Sequence, residues 1–420
     1  MISSIERLSV RSPFPQEELK TPERAPASPP RFQPPRYKTV SRFIRASSVT
    51  KLATKQLINI YTNTQTNRFD NHNYPQISRA LTTVQDRWQG WVPNPQCQLG
   101  SGTGGNVYLL YDAVFRKPVA VKINTIPPDP NSLSLYCFRV EQETFNLAHW
   151  CRIPYTVKFH GSCSLSPFQR AFVMAHAGPT LQELVNSSGP LPLKGSLTFL
   201  FQLLESHKAS SSLGWIHGDL KASNVMFNNG KLAIIDFGLS ELGKKERDFA
   251  NKIQSLFYRD VKVILGHSCD SSVDLWSIGI LTYYSLFGQY LFGSFTDDVA
   301  GRRYTLDRIH HILGYPPAQF LENCSERRLY YPMLLNQEDL IEANQRAFYR
   351  NSCGFLNFSA PFDFHFGHEP RAAIEPLVSL LLGIFRYENR IGVDEALRLC
   401  KKALDALEQA AQLYHNRSIT

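Results

Sequence analysis

Trp215 to Phe227 reads WIHGDLKASNVMF, and Ile234 to Gly238 reads IIDFG. Together they place Asp219, Lys221 and Asn224 within six positions, and Asp236 seventeen residues after Asp219. Each residue type answers a need of phosphoryl transfer. Asp219 would accept the proton of an attacking hydroxyl, Lys221 would neutralise charge building on the transferred group, and Asn224 and Asp236 would offer hard oxygen ligands to Mg²⁺. Apolar flanks at 213–216, 225–227 and 232–235 predict short buried strands that hold these polar side chains rigidly. The bland alternative is a surface loop rich in Asp and Asn. Against it stands the agreement of two independent motifs in order and spacing.

Upstream, Leu99 to Leu110 reads LGSGTGGNVYLL and fits G-x-G-x-x-G-x-V through Gly100, Gly102, Gly105 and Val107. Alternating apolar positions on both sides predict a β-hairpin, in which glycine lets the backbone approach phosphate oxygens with no Cβ in the way. A glycine run of this kind also opens dinucleotide-binding turns, but no helical pattern follows it here. A strand does follow, Val119 to Lys122, VAVK, with its lysine seventeen residues past Gly105. Phe138 to Ala148, FRVEQETFNLA, has helical periodicity and offers Glu141 and Glu143, about 200° apart around a helix, so only one of them can face inward toward Lys122.

These motifs resemble the protein-kinase family, over about Leu99 to Leu399. The resemblance implies an α+β, bilobal fold with a small β-rich N-lobe and a larger, mainly helical C-lobe. ATP and Mg²⁺ are the implied cofactors. The nucleotide would lie under Leu99, Gly100, Ser101, Gly102, Thr103, Gly104, Gly105, Asn106 and Val107, against Ala120 and Lys122, with Met174 as gatekeeper and Ala175 to Ala177 as the hinge that holds the adenine. It favours Glu141 as the partner of Lys122, because F-x-x-E and Phe145 one turn later resemble the family's third helix. Asp219, Lys221, Lys122 and Glu141 then form the catalytic set, with Asn224 and Asp236 on the metal. Lys221 resembles the serine/threonine pattern, which implies a protein substrate carrying Ser or Thr.

Further on, NKIQSLFYRDVKVILG (Asn251–Gly266) and SVDLWSIGILTYYSLFG (Ser272–Gly288) resemble the dual-specificity tyrosine-regulated and homeodomain-interacting branch, through Gln254, Ser255, Tyr258, Arg259, Asp274, Trp276 and Ser277. HHILGYPP (His310–Pro317) resembles that group too, and Arg390 stands where the family has a structural arginine. The chain also departs from the pattern. Gly218 replaces the arginine that clamps a phosphorylated activation loop, Lys252 replaces the branch's autophosphorylated tyrosine, Leu256 replaces an arginine, and Asp260-Val261-Lys262 replaces Ala-Pro-Glu. The last change sets Lys262 where a glutamate would pair with Arg390, a repulsion of about 4 kcal/mol at about 4 Å and an effective dielectric near 20. Lys262 is therefore expected to turn away, toward Glu388 or Asp270. The missing clamp implies basal activity without activation-loop phosphorylation, with Ser240, Ser255 and Tyr258 left as acceptors that could oppose it. The degenerate triplet keeps a pseudokinase scaffold open as an alternative, and HGDL, which small-molecule phosphotransferases also use, keeps that class open as another.

Composition bounds the rest. The 420 residues are 43% hydrophobic, ordinary for a globular chain, and carry a formal charge of +9. Residues 1–55 hold eleven Lys and Arg against four Glu, so the remainder is close to neutral. Eight prolines precede Tyr37. This predicts a disordered basic Pro/Ser-rich arm over 1–48, able to contact an acidic partner or nucleic acid, although a merely solvated tail is the plainer reading. Residues 49–92 read as a helical or irregular lead-in, 93–177 as N-lobe and hinge, 178–404 as C-lobe, and 405–420 as a C-terminal tail. The eight cysteines, Cys97, Cys137, Cys151, Cys163, Cys269, Cys324, Cys353 and Cys400, make no CxxC pair, so reduced thiols of an intracellular protein, cytoplasmic or nuclear, are expected. His310, His311, His365 and His368 lack the spacing of a zinc site. Leu275 to Thr296 holds no charge over 22 positions, yet its three glycines and several hydroxyls predict a buried helix and no membrane span. A monomer is expected.

Overall fold

The computed structural model describes residues 95–102, 105–112, 117–129, 131–242, 253–294, 296–327 and 358–417. The expected arm (1–48) and lead-in (49–92) lie outside these residues, as do Thr103, Gly104 and Lys252. The first lobe is built on one antiparallel sheet: β1 (Gln98–Gly102), β2 (Gly105–Asp112), β3 (Lys117–Thr125), β4 (Phe159–Ser166) and β5 (Gln169–Ala175), in the order β1-β2-β3-β5-β4. Period-two alternation in β3 decides its two faces. Val119, Val121 and Ile123 pack with Tyr108, Cys163, Ala171 and Val173, which turns Ala120, Lys122 and Asn124 to the opposite face. Register fixes Lys122 opposite Val107 and Phe172, and Ala120 opposite Leu109 and Met174. Ahead of β4, Thr156 makes an isolated bridge to Ile234.

Helix α1 (Leu133–Trp150) begins where the Ser132 hydroxyl accepts the Leu135 N–H, and runs longer at both ends than its apolar periodicity. Its inner face buries Phe138, Glu141, Phe145, Leu147 and Ala148, and Phe138 stacks on Phe172 of β5 at 4.3 Å between ring centroids.

The second lobe is mainly helical. α2 (Leu181–Ser188) opens with a reciprocal cap between Thr180 and Glu183, and α3 (Leu193–Ser211) follows it. The predicted apolar flanks form β6 (Trp215–Ile216), β7 (Val225–Asn228) and β8 (Lys231–Ile234); β7 pairs with β8, and β6 with β9 (Glu241–Leu242). Next come α4 (Val261–Leu265), α5 (Ser272–Phe287), α6 (Val299–Leu313), α7 (Ala318–Glu322), a helical stretch over 358–366, α8 (Arg371–Ile384) and α9 (Val393–Arg417). α5 is apolar nearly all round and is accordingly the buried axis of this lobe, with Trp276 packed against Phe292 and Phe385. It ends at Gly288 in the left-handed conformation, and among the described residues no helix is long and apolar enough to cross a membrane. The boundary expected at residue 404 falls inside α9. The two-lobed α+β expectation matches this architecture.

Candidate active site

The site lies where three short segments meet. Residues 217–224 run between β6 and β7, residues 235–240 follow β8, and residues 254–260 lead into α4. The first is held from below. Asp274 on α5, 2% exposed, accepts the backbone N–H of His217 at 2.6 Å and of Gly218 at 3.1 Å. Burial pushes the Asp274 carboxyl up to about 7 in spite of these two bonds. His217 is neutral, because burial lowers its pKa. Its partners fix the tautomer: Nδ1 accepts the Asp219 N–H, so Nε2 carries the proton and donates to the Ile235 carbonyl at 3.3 Å. Gly218 has φ +77, and a Cβ there would stand 2.6 Å from the Leu239 carbonyl oxygen. The clamp arginine is thus missing from a position whose backbone accepts only glycine without strain.

Asp219 is 7% exposed and fully engaged. Lys221 Nζ donates to its Oδ2 at 2.6 Å, Asn224 Nδ2 donates to the same oxygen at 3.1 Å and to its backbone carbonyl at 2.9 Å, and the Ser255 hydroxyl donates to Oδ1 at 3.0 Å. Ser255, read from sequence as a phosphate acceptor, therefore belongs to the carboxylate's own shell. Sequence reasoning missed this contact because 36 residues separate the pair.

Across the cleft, Lys122 Nζ lies 2.9 Å from both Glu141 oxygens and 2.7 Å from Asp236 Oδ1. Glu143 is exposed on the other side of α1, so the choice that sequence left open falls to Glu141. Burial alone would lower the lysine's pKa, but the two carboxylates outweigh it and raise it. The Asp236 carboxyl is depressed, the charge of Lys122 overcoming burial, whereas burial lifts Glu141 to about 7. A run of aromatic contacts ties this cluster to the Asp219 loop: Phe159 stacks on Phe145 (4.6 Å), Phe145 meets Phe237 edge-to-face (5.2 Å), and Phe237 lies tilted against His217 (5.0 Å).

Of the remaining nucleotide candidates, Thr103 and Gly104 lie outside the described residues. Gly105 has φ +118, and a Cβ there would collide with the Ile123 carbonyl, so the hairpin needs glycine at that point. Met174 is buried beside Ala120 at the end of β5, leading to Ala175. Among the described residues, the Ala177 N–H donates to no protein acceptor, as a hinge open to an adenine requires. The donor set also fits Mg²⁺. Asn224 commits its Nδ2 to Asp219 and keeps Oδ1, and Asp236 keeps a carboxylate side chain 35% exposed to the cleft. Among the described residues no cluster of three His, Cys, Asp or Glu could hold another metal.

One expectation is overturned. Arg390 does not face a cation: its guanidinium makes a two-point contact with the Asp260 carboxylate, Nη1 to Oδ2 at 2.5 Å and Nη2 to Oδ1 at 3.1 Å, and also donates to the Ser272 carbonyl at 2.7 Å. Asp260 is fully buried, and its Oδ1 also caps α4 by accepting the Lys262 N–H at 2.9 Å. The carboxylate expected at 262 is supplied from two residues earlier, at the helix cap. The Asp270 carboxyl is depressed although burial opposes the shift: the Ser272 hydrogen bonds, then the charges of Lys262 and Arg390, outweigh it. The signal was present in the sequence as the aspartate of the degenerate triplet itself.

Comparison with known proteins agrees with this geometry. Residues 94–334 match the protein kinase domain. The chain is 29% identical over 52% of its length to the "Probable cell division protein kinase" of Encephalitozoon cuniculi, covering 68% of that protein. It is 31% identical over 59% of its length to the mitogen-activated protein kinase HOG1 of Candida albicans, covering 63% of it. It is 30% identical over 53% to the mitogen-activated protein kinase mpkC of Emericella nidulans, covering 52%. The chain thus spans between 52% and 68% of these curated relatives' length. A match over more than half of the sequence, falling on the two lobes and on the cleft between them, assigns the chain to the protein kinase family.

Proposed function

We propose that the chain is an ATP-dependent serine/threonine protein kinase that transfers the γ-phosphate of ATP to a protein hydroxyl. The observation that carries this reading is the convergence of Lys122, Glu141 and Asp236 on one side of the cleft with Asp219, Lys221 and Asn224 on the other. Asn224 and Asp236 would hold Mg²⁺, which would supply charge neutralisation for the transferred phosphoryl group. Asp219 takes the proton of the incoming hydroxyl, Lys221 stabilises the transferred group, Lys122 orients the α and β phosphates, and Glu141 orients Lys122. The residues from Leu99 to Val107 cover the nucleotide, and Ala120, Met174, Ala175 and Ala177 receive its base. The departure that motivated the scaffold alternative is compensated by Asp260.

Within the family we place the chain beside the dual-specificity tyrosine-regulated and homeodomain-interacting kinases. That placement rests on Gln254, Ser255, Tyr258, Arg259, Asp274, Trp276 and Ser277, together with the stretch His310–Pro317. We further infer activity independent of activation-loop phosphorylation. Gly218 cannot grip a phosphate, and the rival acceptors are occupied. Ser240 is 5% exposed and donates to the His217 carbonyl, while Tyr258 is 4% exposed and its hydroxyl accepts the Ala222 N–H. An intracellular setting is supported by the free cysteines among the described residues. The basic arm is proposed to meet an acidic partner or nucleic acid.

The test is transfer from labelled ATP and Mg²⁺ to a generic basic protein, followed by phosphoamino-acid analysis. Wild type should label Ser or Thr, and Lys122→Met and Asp219→Asn should not. Undiminished transfer by Asp219→Asn would remove Asp219 as the base. A tenfold loss after phosphatase treatment, with the phosphatase removed, would sink phosphate independence.

A further inference from the structure

We propose that Gln254 is a positioning residue for this transfer: its buried carboxamide locks the end of the activation segment to the Asp219 loop and to α5, in place of a phosphate clamp. The inference deepens the kinase reading and rests on it. It starts from a backbone outlier. Gln254 has φ +65, a region that residues with a Cβ avoid, and its side chain is not one of the short polar ones that tolerate it. Such a conformation persists only where the surroundings hold it in place.

Here every polar atom of the residue is used, at 3% exposure. Its N–H donates to the Gly218 carbonyl at 2.7 Å. Its carbonyl accepts Arg259 Nε at 3.1 Å and Nη2 at 2.8 Å, and the same guanidinium grips both oxygens of Asp297 at 2.8 and 2.9 Å. Its Nε2 donates to the Val273 carbonyl at 2.8 Å and to Ser277 Oγ at 2.9 Å, and Ser277 passes the chain on to the Tyr258 carbonyl at 3.0 Å. Its Oε1 accepts the Asp260 N–H at 2.9 Å. These partners fix which end of the amide is oxygen, because Val273 can only accept and the Asp260 N–H can only donate.

The consequence is local to the reacting groups, though Gln254 touches none of them. On one side it holds Gly218, the residue before Asp219. On the other it fixes Ser255, whose hydroxyl lies on Asp219. No other side chain of this length supplies two N–H donors and an acceptor together: methionine has neither, glutamate cannot donate to Val273, and asparagine is one methylene short.

The experiment uses the full chain and Gln254→Met, with Gln254→Asn as a milder variant should the first fail to fold. kcat is measured per nucleotide-binding site with ATP and the generic basic protein, alongside amide hydrogen exchange over 217–219 and 254–260. The expected result for Gln254→Met is a kcat at least tenfold lower with the KM for ATP within twofold, and faster exchange at 218, 219 and 260. Gln254→Asn should fall between it and wild type. If kcat per site stays within twofold of wild type while the melting temperature drops, Gln254 only stabilises the fold and the proposal is overturned. Should the wild type transfer no phosphate, the kinase reading fails and takes the positioning role with it; where the wild type does transfer, unchanged exchange at 218, 219 and 260 in the variant overturns the proposal by itself.

Discussion

Replacing Asp260 by asparagine removes one charge from a pair whose carboxylate is 0% exposed and whose guanidinium is 5% exposed. Arg390 would keep its bond to the Ser272 carbonyl and its place 5.2 Å over the Trp276 ring, but neither neutralises it. Breaking a buried ion pair by taking one partner costs about 3 to 5 kcal/mol, because the other charge is left without compensation. Asparagine preserves an acceptor for the Lys262 N–H, so Asp260→Asn should sit near about 3 kcal/mol, and Asp260→Ala about 1 kcal/mol lower for the lost cap. In a domain of this size that is a fall in melting temperature of roughly 4 to 6 °C, readable by calorimetry or circular dichroism. The companion variant is Lys262→Glu. From sequence it would stabilise, by giving Arg390 its missing carboxylate. In the structure Arg390 already has one, and a glutamate would bring a further negative charge toward Asp260 and Asp270, so no gain is expected. An Asp260→Asn protein melting within 1 °C of wild type, or a Lys262→Glu protein more stable by over 1 kcal/mol, would refute the assignment of Asp260 as the partner.

Gly218→Ala should cost about 1 to 3 kcal/mol, since it forces a Cβ into a left-handed position against the Leu239 carbonyl, and kcat should fall with stability; chemical denaturation and steady-state rates check both. Glu141→Gln should cut turnover far more than Glu143→Gln, and equal losses would remove Glu141 as the orienter of Lys122. The Glu141 carboxyl, lifted to about 7 by burial, should give activity an acidic limb: as pH falls below about 7 it protonates, releases Lys122, and lowers kcat/KM. Stability runs the other way. A carboxyl whose folded pKa lies above its unfolded value contributes stability that is fully present below about 4.5 and is lost as pH rises toward about 7. Urea titrations at pH 5 and 8 should therefore show a smaller difference in Glu141→Gln than in wild type.

The parts of this protein that sequence determined are those whose partners are close along the chain. Asp219, Lys221 and Asn224 fall within six residues, so one loop conformation suffices to bring them together, and the glycines of the hairpin and the alternation of β3 set Lys122 on the cleft face through local geometry alone. The large lobe's axis was likewise legible, because a helix apolar on all sides has nowhere to go but the core. The choice between Glu141 and Glu143 was not legible from periodicity, which shows that the two oppose each other but not which side meets the sheet. Only packing decided it, through Phe138 against Phe172 and Phe145 against Phe237. Position matching misassigned the partner of Arg390, which lies 130 residues from Asp260, because an ion pair is chosen by where backbone and cap geometry deliver the carboxylate. The same holds for Gln254 and for Ser255 on Asp219. Their roles come from hydrogen bonds to atoms between 5 and 36 residues away, and a linear pattern carries no information about such distances until the chain has folded.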